Sequence, residues 1–375
     1  KLINQVVLID YTIIILGGII MLYSLLADED IYFINLHAEC ALHTYSSEFY
    51  QYDIMLDARR TKGIYCKKVN ANIFENIYEY DYEEKDICID FSGIEEISKN
   101  NLVGFVSKIK KKICSKNQMV YFLNLRKEIY EETGMENFLQ INNDNNGNIF
   151  AKMGNAKGTY TYSQLIMRKE KVFKERLEKM ILESTDECTE TQHQHTSVPV
   201  YLSHYINLKK MVEAKSRLLR LAIYYLALSM IDAGIMSNNP LDNSNISFFF
   251  HTINGGYIAT QLAELFHIDL VYLDHLGPIE SVHRKHFEKS IRDNRNYIIV
   301  SDVICLGGEV GRARTIIEYC GGKILGEICL VDIKTIKNRD VANRISLYTV
   351  SNECNKIGYT IKTDLCDVCR EGGTK

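Results

Sequence analysis

The sequence lacks tryptophan, contains only three prolines and is rich in Ile, Lys, Asn and Tyr. We attribute this bias to the nucleotide composition of the coding genome and draw no function from it. An excess of basic charge is also missing, since the formal net charge is −4 at pH 7. Proteins that bind nucleic acid by neutralising phosphates need a basic surface. We therefore expect no nucleic-acid partner.

A disulfide framework is absent as well. The eleven cysteines are an odd number spread over 375 residues, unlike the dense, even pattern of small secreted proteins. Cys88 and Cys329 lie in the apolar runs DICIDF and EICLVD, where a thiol packs as a small hydrophobic group. These features predict a reducing, cytoplasmic location.

One apolar run, residues 11–27, has two interpretations. Its 17 uncharged residues approach the length of a membrane span, which would anchor the protein to a membrane. Alternatively, it forms a buried helix between strands 5–10 and 31–36 in one βαβ unit. Asp10 and Asp28 flank the run without a basic cluster, which favours the soluble alternative.

Two polar stretches, 141–148 and 183–195, divide a chain that is long enough for two domains. Between them, residues 163–183 have apolar side chains at helical spacing and a charged outer face. We predict an α/β domain at 1–150, a linker with a connecting helix at 151–196, a second α/β domain at 197–350 and a cysteine-containing tail at 351–375.

The first domain contains a strand at 86–94, a helix at 101–117, a strand at 119–125 and a helix at 126–140. This order resembles a STAS domain, the family that includes anti-sigma factor antagonists; a Rossmann-like block has a similar pattern. Lys99 stands where that family has its phosphorylated serine. The resemblance implies an interaction module that binds a protein partner and has lost the usual phosphorylation switch.

The strongest motif lies at 296–332. A buried strand, YIIVSD, is followed by the glycine turn CLGG and then by a helical pattern. Free backbone amides and the helix dipole at such a turn favour an anion. In an open parallel sheet, ligands bind at this edge.

This motif resembles the phosphoribosyl pyrophosphate (PRPP) motif of type I phosphoribosyltransferases. The preceding segment, 245–273, matches that family's strand, Gly-Gly loop, helix and strand. The resemblance implies an α/β protein whose C-terminal parallel-sheet phosphoribosyltransferase-like domain is preceded by the smaller STAS-like or Rossmann-like α/β domain. A helical cover over the ligand edge is expected at 197–231.

The resemblance also implies a role for each matching residue. Asp302 would bond the ribose hydroxyls, and Lys285 and Arg284 would lie on a mobile loop over the pyrophosphate. A phosphate cup would comprise Ser301, Cys305, Leu306, Gly307, Gly308, Glu309 and Val310. A pyrophosphate loop would comprise Thr252, Ile253, Asn254, Gly255 and Gly256, with Mg²⁺ bridging mainly substrate oxygens.

The motif departs from the family pattern at four positions. Ser301 replaces the first acid, Cys305 and Leu306 replace threonines, and Glu309 replaces the final threonine. A carboxylate about 4 Å from a bound phosphate would repel it by about 4 kcal/mol, roughly a thousandfold in affinity. We hypothesise that the cup is altered and partly filled by Glu309 itself.

Two functions follow from these observations. One is Mg²⁺-dependent transfer of a phosphoribosyl group to an unidentified base. The other is a catalytically degenerate sensor or interaction protein that binds a nucleotide or a protein partner. Either would bind a phosphoribosyl or nucleotide small molecule, and a homodimer is compatible with both.

The tail contains Cys354, Cys366 and Cys369. A Cys-x-x-Cys pair near glycines is typical of a zinc knuckle, although no fourth ligand is evident. The alternative is a set of unpaired thiols near a frayed chain end.

Overall fold

A computed structural model describes the protein. The described residues are 23–36, 67–68, 71–92, 94–97, 99–114, 118–133, 140–145, 148–154, 160–188, 201–237, 242–266, 268–273, 290–334, 343–351 and 356–362. They form two compact units, which divide within a long helix between Leu165 and Ile166.

The N-terminal unit is built on a mixed β-sheet. Its strands are β1 (Tyr23–Ala27), β2 (Ile31–Leu36), β3 (Lys67–Lys68), β4 (Asp86–Asp90), β5 (Ile94–Glu96), β6 (Met119–Arg126), β7 (Gln140–Asn145) and β8 (Asn148–Gly154). Its helices are α1 (Ala71–Glu79), α2 (Lys99–Cys114) and α3 (Lys127–Thr133). The main sheet has the order β1-β2-β4-β6-β8-β7, and β2, β4 and β6 are parallel.

Hydrophobic periodicity explains how these helices pack. Leu102, Phe105, Val106 and Ile109 recur on one side of α2 at spacings of three and four, and all four are buried in the core beneath the sheet. The predicted order of strand, helix, strand and helix from Asp86 onward is confirmed. The more specific resemblance to a STAS domain stays a prediction.

The interpretation of residues 11–27 as a helix is wrong for its last five residues. These residues form β1, which pairs antiparallel with β2. The Asp28 carboxylate accepts hydrogen bonds from the backbone N–H groups of Asp30 and Ile31, at 2.9 and 2.8 Å. Such a tight turn joins adjacent antiparallel strands and leaves no room for a helical crossover. Residues 11–22 lie outside the described residues.

The polar stretch at 141–148, which we expected to be a turn-rich linker, instead contributes to a β-hairpin formed by β7 and β8. The asparagines that suggested a turn-rich linker lie mostly within β7. Helix α3 ends at Thr133, well short of the predicted residue 140, and Gln140 already belongs to a strand.

The C-terminal unit consists of helices around a second sheet. Its helices are α4 (Tyr162–Glu183), which begins in the first unit, α5 (Leu208–Asp232), α6 (Ile253–Phe266) and α7 (Gly308–Tyr319). Its strands are β9 (Thr185–Glu187), β10 (Tyr201–Leu202), β11 (His204–Ile206), β12 (Ile246–Phe250), β13 (Asp269–Tyr272), β14 (Asn296–Ile304), β15 (Lys323–Lys334), β16 (Arg344–Ser351) and β17 (Ile361–Lys362).

Five of these strands form a parallel sheet in the order β13-β12-β14-β15-β16. The near-continuous apolar runs of β12, β14 and β15 are typical of strands that are buried on both faces. On one face, Val310, Ala313 and Ile317 of α7 pack into the core formed by alternate residues of β14 and β15. Helix α5 packs against α6 and β16.

Two helix predictions in this unit have different outcomes. The connecting helix at 163–183 is confirmed as α4, and Leu165, Phe173 and Leu177 are among its buried side chains. The helical cover at 197–231 is only partly correct, since its first described residues form β10 and β11. These strands pair with β17 and β9, respectively, and α5 begins at Leu208, capped by the Asn207 side chain.

No helix among the residues described above is both long enough and apolar enough to cross a membrane.

Gly255→Ala tests the close approach of α6 to β14. An alanine Cβ would lie 2.9 Å from the carbonyl oxygen of Val300, a backbone atom of β14. Because that atom cannot withdraw without distorting the strand, we expect the free energy of unfolding to fall by about 1–3 kcal/mol. Denaturant titration measures this loss.

Gly311→Ala in α7 is the matched control. No atom lies within 4 Å of its Cβ, and alanine in a helix interior gains up to about 1 kcal/mol over glycine. If Gly255→Ala were as stable as Gly311→Ala, the packing of α6 on β14 would be contradicted.

Candidate functional site

The candidate site lies between two neighbouring strands, β12 and β14, whose connections to the next strand run in opposite directions across the sheet. From β12 the chain passes through α6 to β13, whereas from β14 it passes through α7 to β15, on the opposite side of the sheet order. Since parallel crossovers are right-handed, the two helices cover opposite faces. The carboxyl ends of the neighbouring strands β12 and β14 therefore border a crevice, the usual ligand position in open α/β sheets.

Of the expected pyrophosphate loop, only Thr252 precedes α6, and Ile253 to Gly256 form the first turn of this helix. The Thr252 hydroxyl accepts the backbone N–H of Gly255 at 2.9 Å, and its carbonyl accepts the N–H of Gly256 at 2.9 Å. A Cβ on Gly256 would lie 2.7 Å from the ring of Phe250. The glycines thus allow α6 to begin close to the sheet, and exposed Ile253 stands at its start.

The predicted phosphate cup follows β14 as the expected bend from strand to helix. Gly307 adopts a left-handed conformation (φ 72°) and caps α7 without a side-chain hydrogen bond. The first N–H groups of a helix have no acceptor within it, and here they belong to Gly308, Glu309 and Val310. Because buried Val310 anchors the turn in the core, these amides are fixed at the sheet edge.

The side chains of Asp302 and Asn254 connect β14 to the first turn of α6. The Asn254 side-chain amide donates a hydrogen bond to the Asp302 carboxylate at 3.0 Å. Burial raises the pKa of the Asp302 carboxyl above its usual value, the Asn254 hydrogen bond opposes this shift, and nearby Glu309 adds to it. Asp302 is therefore a carboxylate whose charge is incompletely compensated at the crevice.

Ser301 and His251 carry buried polar atoms without a hydrogen-bond partner. Ser301 is 3% exposed, and its Oγ has no hydrogen-bond partner. The His251 Nδ1 atom is also buried without a partner. Ser301 aligns with Cys329, whose side chain belongs to the core beneath α7. Unpartnered buried polar groups are rare, and each calls for an explanation such as a bound ligand, ion or water.

His251 also makes a contact across the crevice. Its Nε2–H donates to the Glu309 carboxylate at 2.9 Å. This hydrogen bond joins the residue after β12 to the first turn of α7. The sequence did not predict this contact, because the two residues lie 58 positions apart.

Tyr205 of β11 is a second residue that sequence reasoning missed. Its side chain is 49% exposed and interacts with the side chain of Asn254 near the Asp302 carboxylate. The segment expected to cover the ligand edge thus contributes this aromatic residue from a short strand. The sequence indicated Tyr205 only in that it lies within 197–231, the segment expected to cover the ligand edge of the sheet.

Arg344 is a third missed residue and lies beneath the glycine turn. Its guanidinium bonds buried Glu327 at 2.7 and 2.9 Å and buried Asp332 at 3.2 Å. Arg314 bonds the other oxygen of Glu327 at 2.7 Å. A Cβ on Gly307 would lie 3.6 Å from Arg344, so this ionic network ties β15, β16 and α7 together next to the cup.

Cys305 faces the protein interior at the start of the cup. Its thiol lies 3.7 Å from the Tyr359 hydroxyl, and burial raises the pKa of the thiol to about 11. A thiol in this state is a weak nucleophile. Together with Leu306, it leaves the cup without the hydroxyl donors of the family motif.

Several predicted site residues lie outside the described residues. These are Lys285 and Arg284 of the expected mobile loop and Cys354, Cys366 and Cys369 of the expected zinc knuckle. Among the residues that the structure does describe, no group of three or more His, Cys, Asp or Glu side chains could hold a metal ion.

Comparisons with known proteins give structural similarity only. No family model matches the sequence, and no curated protein matches it. Among solved structures, the chain is similar to adenine phosphoribosyltransferase from Thermoanaerobacter pseudethanolicus, at 15% identity and TM-score 0.34, over 46% of this chain and 99% of that one.

Two further solved structures are similar over about half of the chain. Adenine phosphoribosyltransferase from Leishmania tarentolae shares 14% identity at TM-score 0.34, with 48% of this chain and 89% of that one covered. Orotate phosphoribosyltransferase from Aeropyrum pernix shares 16% identity at TM-score 0.31, with 47% and 93% covered.

Asp302→Asn tests the electrostatics of the crevice. The raised pKa means that folding favours the protonated acid, so stability falls as pH rises from the unfolded-state pKa through the folded-state pKa. The neutral amide avoids this loss. We expect the melting temperature of the variant minus that of the wild type to grow as the pH rises toward neutral. The rise should begin near pH 3.8, the ordinary pKa of an aspartate. A difference that is independent of pH would contradict this assignment.

Arg344→Met tests the ionic network. Removal of the cation leaves two buried carboxylates without their main partner, and we expect the free energy of unfolding to fall by about 3–5 kcal/mol. Arg314→Met, which removes a partly exposed member of the same network, should cost less. Denaturant titration compares the two variants, and equal losses would show that Arg344 has no special position.

Proposed function

We propose that the C-terminal unit binds a phosphorylated ribose, as found in a nucleotide or in PRPP, at the carboxyl edge of β12 and β14. The observation that carries the proposal is left-handed Gly307, which opens α7 directly after the strand that presents Asp302. In such an arrangement, backbone amides that can hold an anion would lie next to a carboxylate that can accept hydrogen bonds from hydroxyls.

The 5′-phosphate would bind to the backbone amides at the start of α7. Amides and the helix dipole favour a phosphate without any cationic side chain. Since Cys305 and Leu306 supply no hydroxyls, the backbone of Gly307 and Gly308 would provide most of the contacts. Arg344 beneath the turn adds positive charge, although its carboxylate partners offset most of it.

The ribose hydroxyls would bind to Asp302. Asn254 already holds one carboxylate oxygen and so fixes the orientation of the group. Hydrogen bonds donated by sugar hydroxyls would stabilise the charge that burial disfavours. Tyr205, half-exposed beside Asn254, offers a ring to the remainder of the ligand.

Transfer chemistry would require more than binding. A base nitrogen would attack the anomeric carbon while the bond to pyrophosphate breaks, through an oxocarbenium-like state stabilised by positioning and charge. Mg²⁺ would supply charge neutralisation on the pyrophosphate oxygens. Lys285 and Arg284 remain proposed contacts for the same oxygens.

A second candidate is ligand binding without transfer, as in a sensor. Ser301 favours this candidate, because a buried hydroxyl stands where the family has a carboxylate. Glu309 favours it as well, since an anion in the first turn of α7 opposes the highly charged PRPP more strongly than a monophosphate. Both candidates use the same site and differ in turnover.

Calorimetric titration of the full chain tests the proposal. The ligands are PRPP, nucleoside monophosphates and inorganic phosphate, each with and without Mg²⁺. We expect saturable binding of a nucleoside monophosphate; Mg²⁺-dependent binding of PRPP followed by pyrophosphate release with a base would establish transfer. If none of these ligands binds, the proposed function is wrong.

Gly307→Ala locates the binding site. A left-handed alanine is strained by about 1–2 kcal/mol, and relief of that strain would turn the cup amides away from the phosphate. We expect nucleotide affinity to fall at least about tenfold, equivalent to about 1.4 kcal/mol. Gly234→Ala, at φ 71° after α5 and in open space, carries the same backbone strain and should bind normally. If both variants lost nucleotide affinity to the same extent, the ligand would not bind at the Gly307 turn.

A further inference from the structure

We infer that His251 is an anion-binding side chain of this site and that Glu309 occupies the ligand's place on it until the ligand enters. The inference rests on the proposed function and deepens it. The ligand group is a phosphate, and the contact that it replaces is the hydrogen bond between His251 Nε2 and the Glu309 carboxylate.

The position of the contact is the first support. His251 follows β12 directly, and Glu309 belongs to the first turn of α7. Their hydrogen bond therefore spans the crevice between the two strand-to-helix turns. A phosphate on the amides of Gly308 and Glu309 would enter the space that this bond crosses.

The different burial of the partners indicates which one moves. The His251 side chain is 7% exposed, whereas the Glu309 side chain is 37% exposed. The imidazole is thus held by its surroundings, whereas the carboxylate is already partly in contact with solvent. An incoming anion would find the imidazole in place and displace the glutamate.

The unpartnered atoms next to this contact are the second support. His251 Nδ1 and the Ser301 hydroxyl are buried without hydrogen-bond partners. His251 directly follows β12, and Ser301 lies near the carboxyl end of the neighbouring strand β14. A structural ion pair would normally have its remaining polar atoms satisfied. Two unsatisfied groups at the ligand edge instead indicate a site that a ligand completes.

Electrostatics allow the exchange, because one anion replaces another. Glu309 lies close enough to Asp302 for the two charges to interact, so the resting crevice holds two nearby carboxylates. Rotation of Glu309 toward solvent removes one of them at the moment when a phosphate arrives. The phosphate then accepts the Nε2–H that Glu309 releases, and charge-assisted hydrogen bonds of this kind are among the stronger ones.

A double-mutant cycle with the full chain tests the inference, with AMP and inorganic phosphate as probes. We expect Glu309→Ala to bind both probes at least about tenfold more tightly, because the internal competitor is gone. His251→Phe should bind both more weakly. In the His251→Phe background the gain from Glu309→Ala should shrink markedly, because there is no longer a histidine to compete for.

Glu318→Ala is the matched control. It removes a carboxylate from the last turn of the same helix, where Glu318 pairs with Arg314 at 3.9 Å, and it should leave both affinities unchanged. Glu309→Gln, which keeps a hydrogen-bond acceptor but not the charge, should give an intermediate gain. The thermal melt of each variant verifies that it is folded.

The outcomes separate this inference from the proposed function. Unchanged or weaker binding by Glu309→Ala would overturn the inference alone. An equal gain with and without His251 would also overturn it, because Glu309 would then act only through its charge. If wild type and all variants bind neither probe, the proposed function fails and the inference fails with it.

Discussion

The geometry of the site depends on one constraint: parallel strands β12 and β14 end at the same edge, and their helices leave in opposite directions. The hydrogen bond between Asn254 and Asp302 stabilises this arrangement by linking the first turn of α6 to β14. Close packing maintains it, because Gly255 approaches the backbone of β14 too closely for any side chain. A crevice lined by two helix N-termini follows from the topology rather than from any single residue.

The same constraint is the reason that we propose an anion as the ligand. Helices α6 and α7 direct the positive ends of their dipoles toward the crevice. Of the ionisable side chains that the structure describes there, Asp302 and Glu309 are acidic and His251 is buried. In our proposal the backbone amides attract the anion, and the carboxylates of Asp302 and Glu309 restrict which anions fit. In this proposal the fold favours a negatively charged ligand, and the acidic side chains limit how much negative charge it can carry.

The sequence was sufficient wherever local pattern decides structure. The apolar run of β14, the glycine turn and the helical spacing after it predicted the bend at Gly307, and the periodicity of α4 predicted its bounds closely. The sequence also identified Ser301 and Glu309 as departures from the family motif. In each case the determining residues are neighbours in the chain.

The sequence was insufficient where contacts between residues that are distant in the chain determine the structure. Nothing near His251 in the chain indicates Glu309, and nothing near Arg344 indicates that Glu327 and Asp332 are its partners. The asparagines of β7 suggested a loop, but pairing with β8 overrode their local preference. Residues 23–27 seemed helical because a short apolar run does not distinguish a helix from a strand, and the Asp28 turn decided for the strand.

The most direct test of a phosphate-binding edge is backbone amide NMR of the isotopically labelled chain during titration with a nucleoside monophosphate. The account predicts that the largest shift changes occur at the amides from Gly307 to Val310, with smaller changes at Asn254 and Asp302. Changes confined to other parts of the chain, with these amides unmoved, would contradict it.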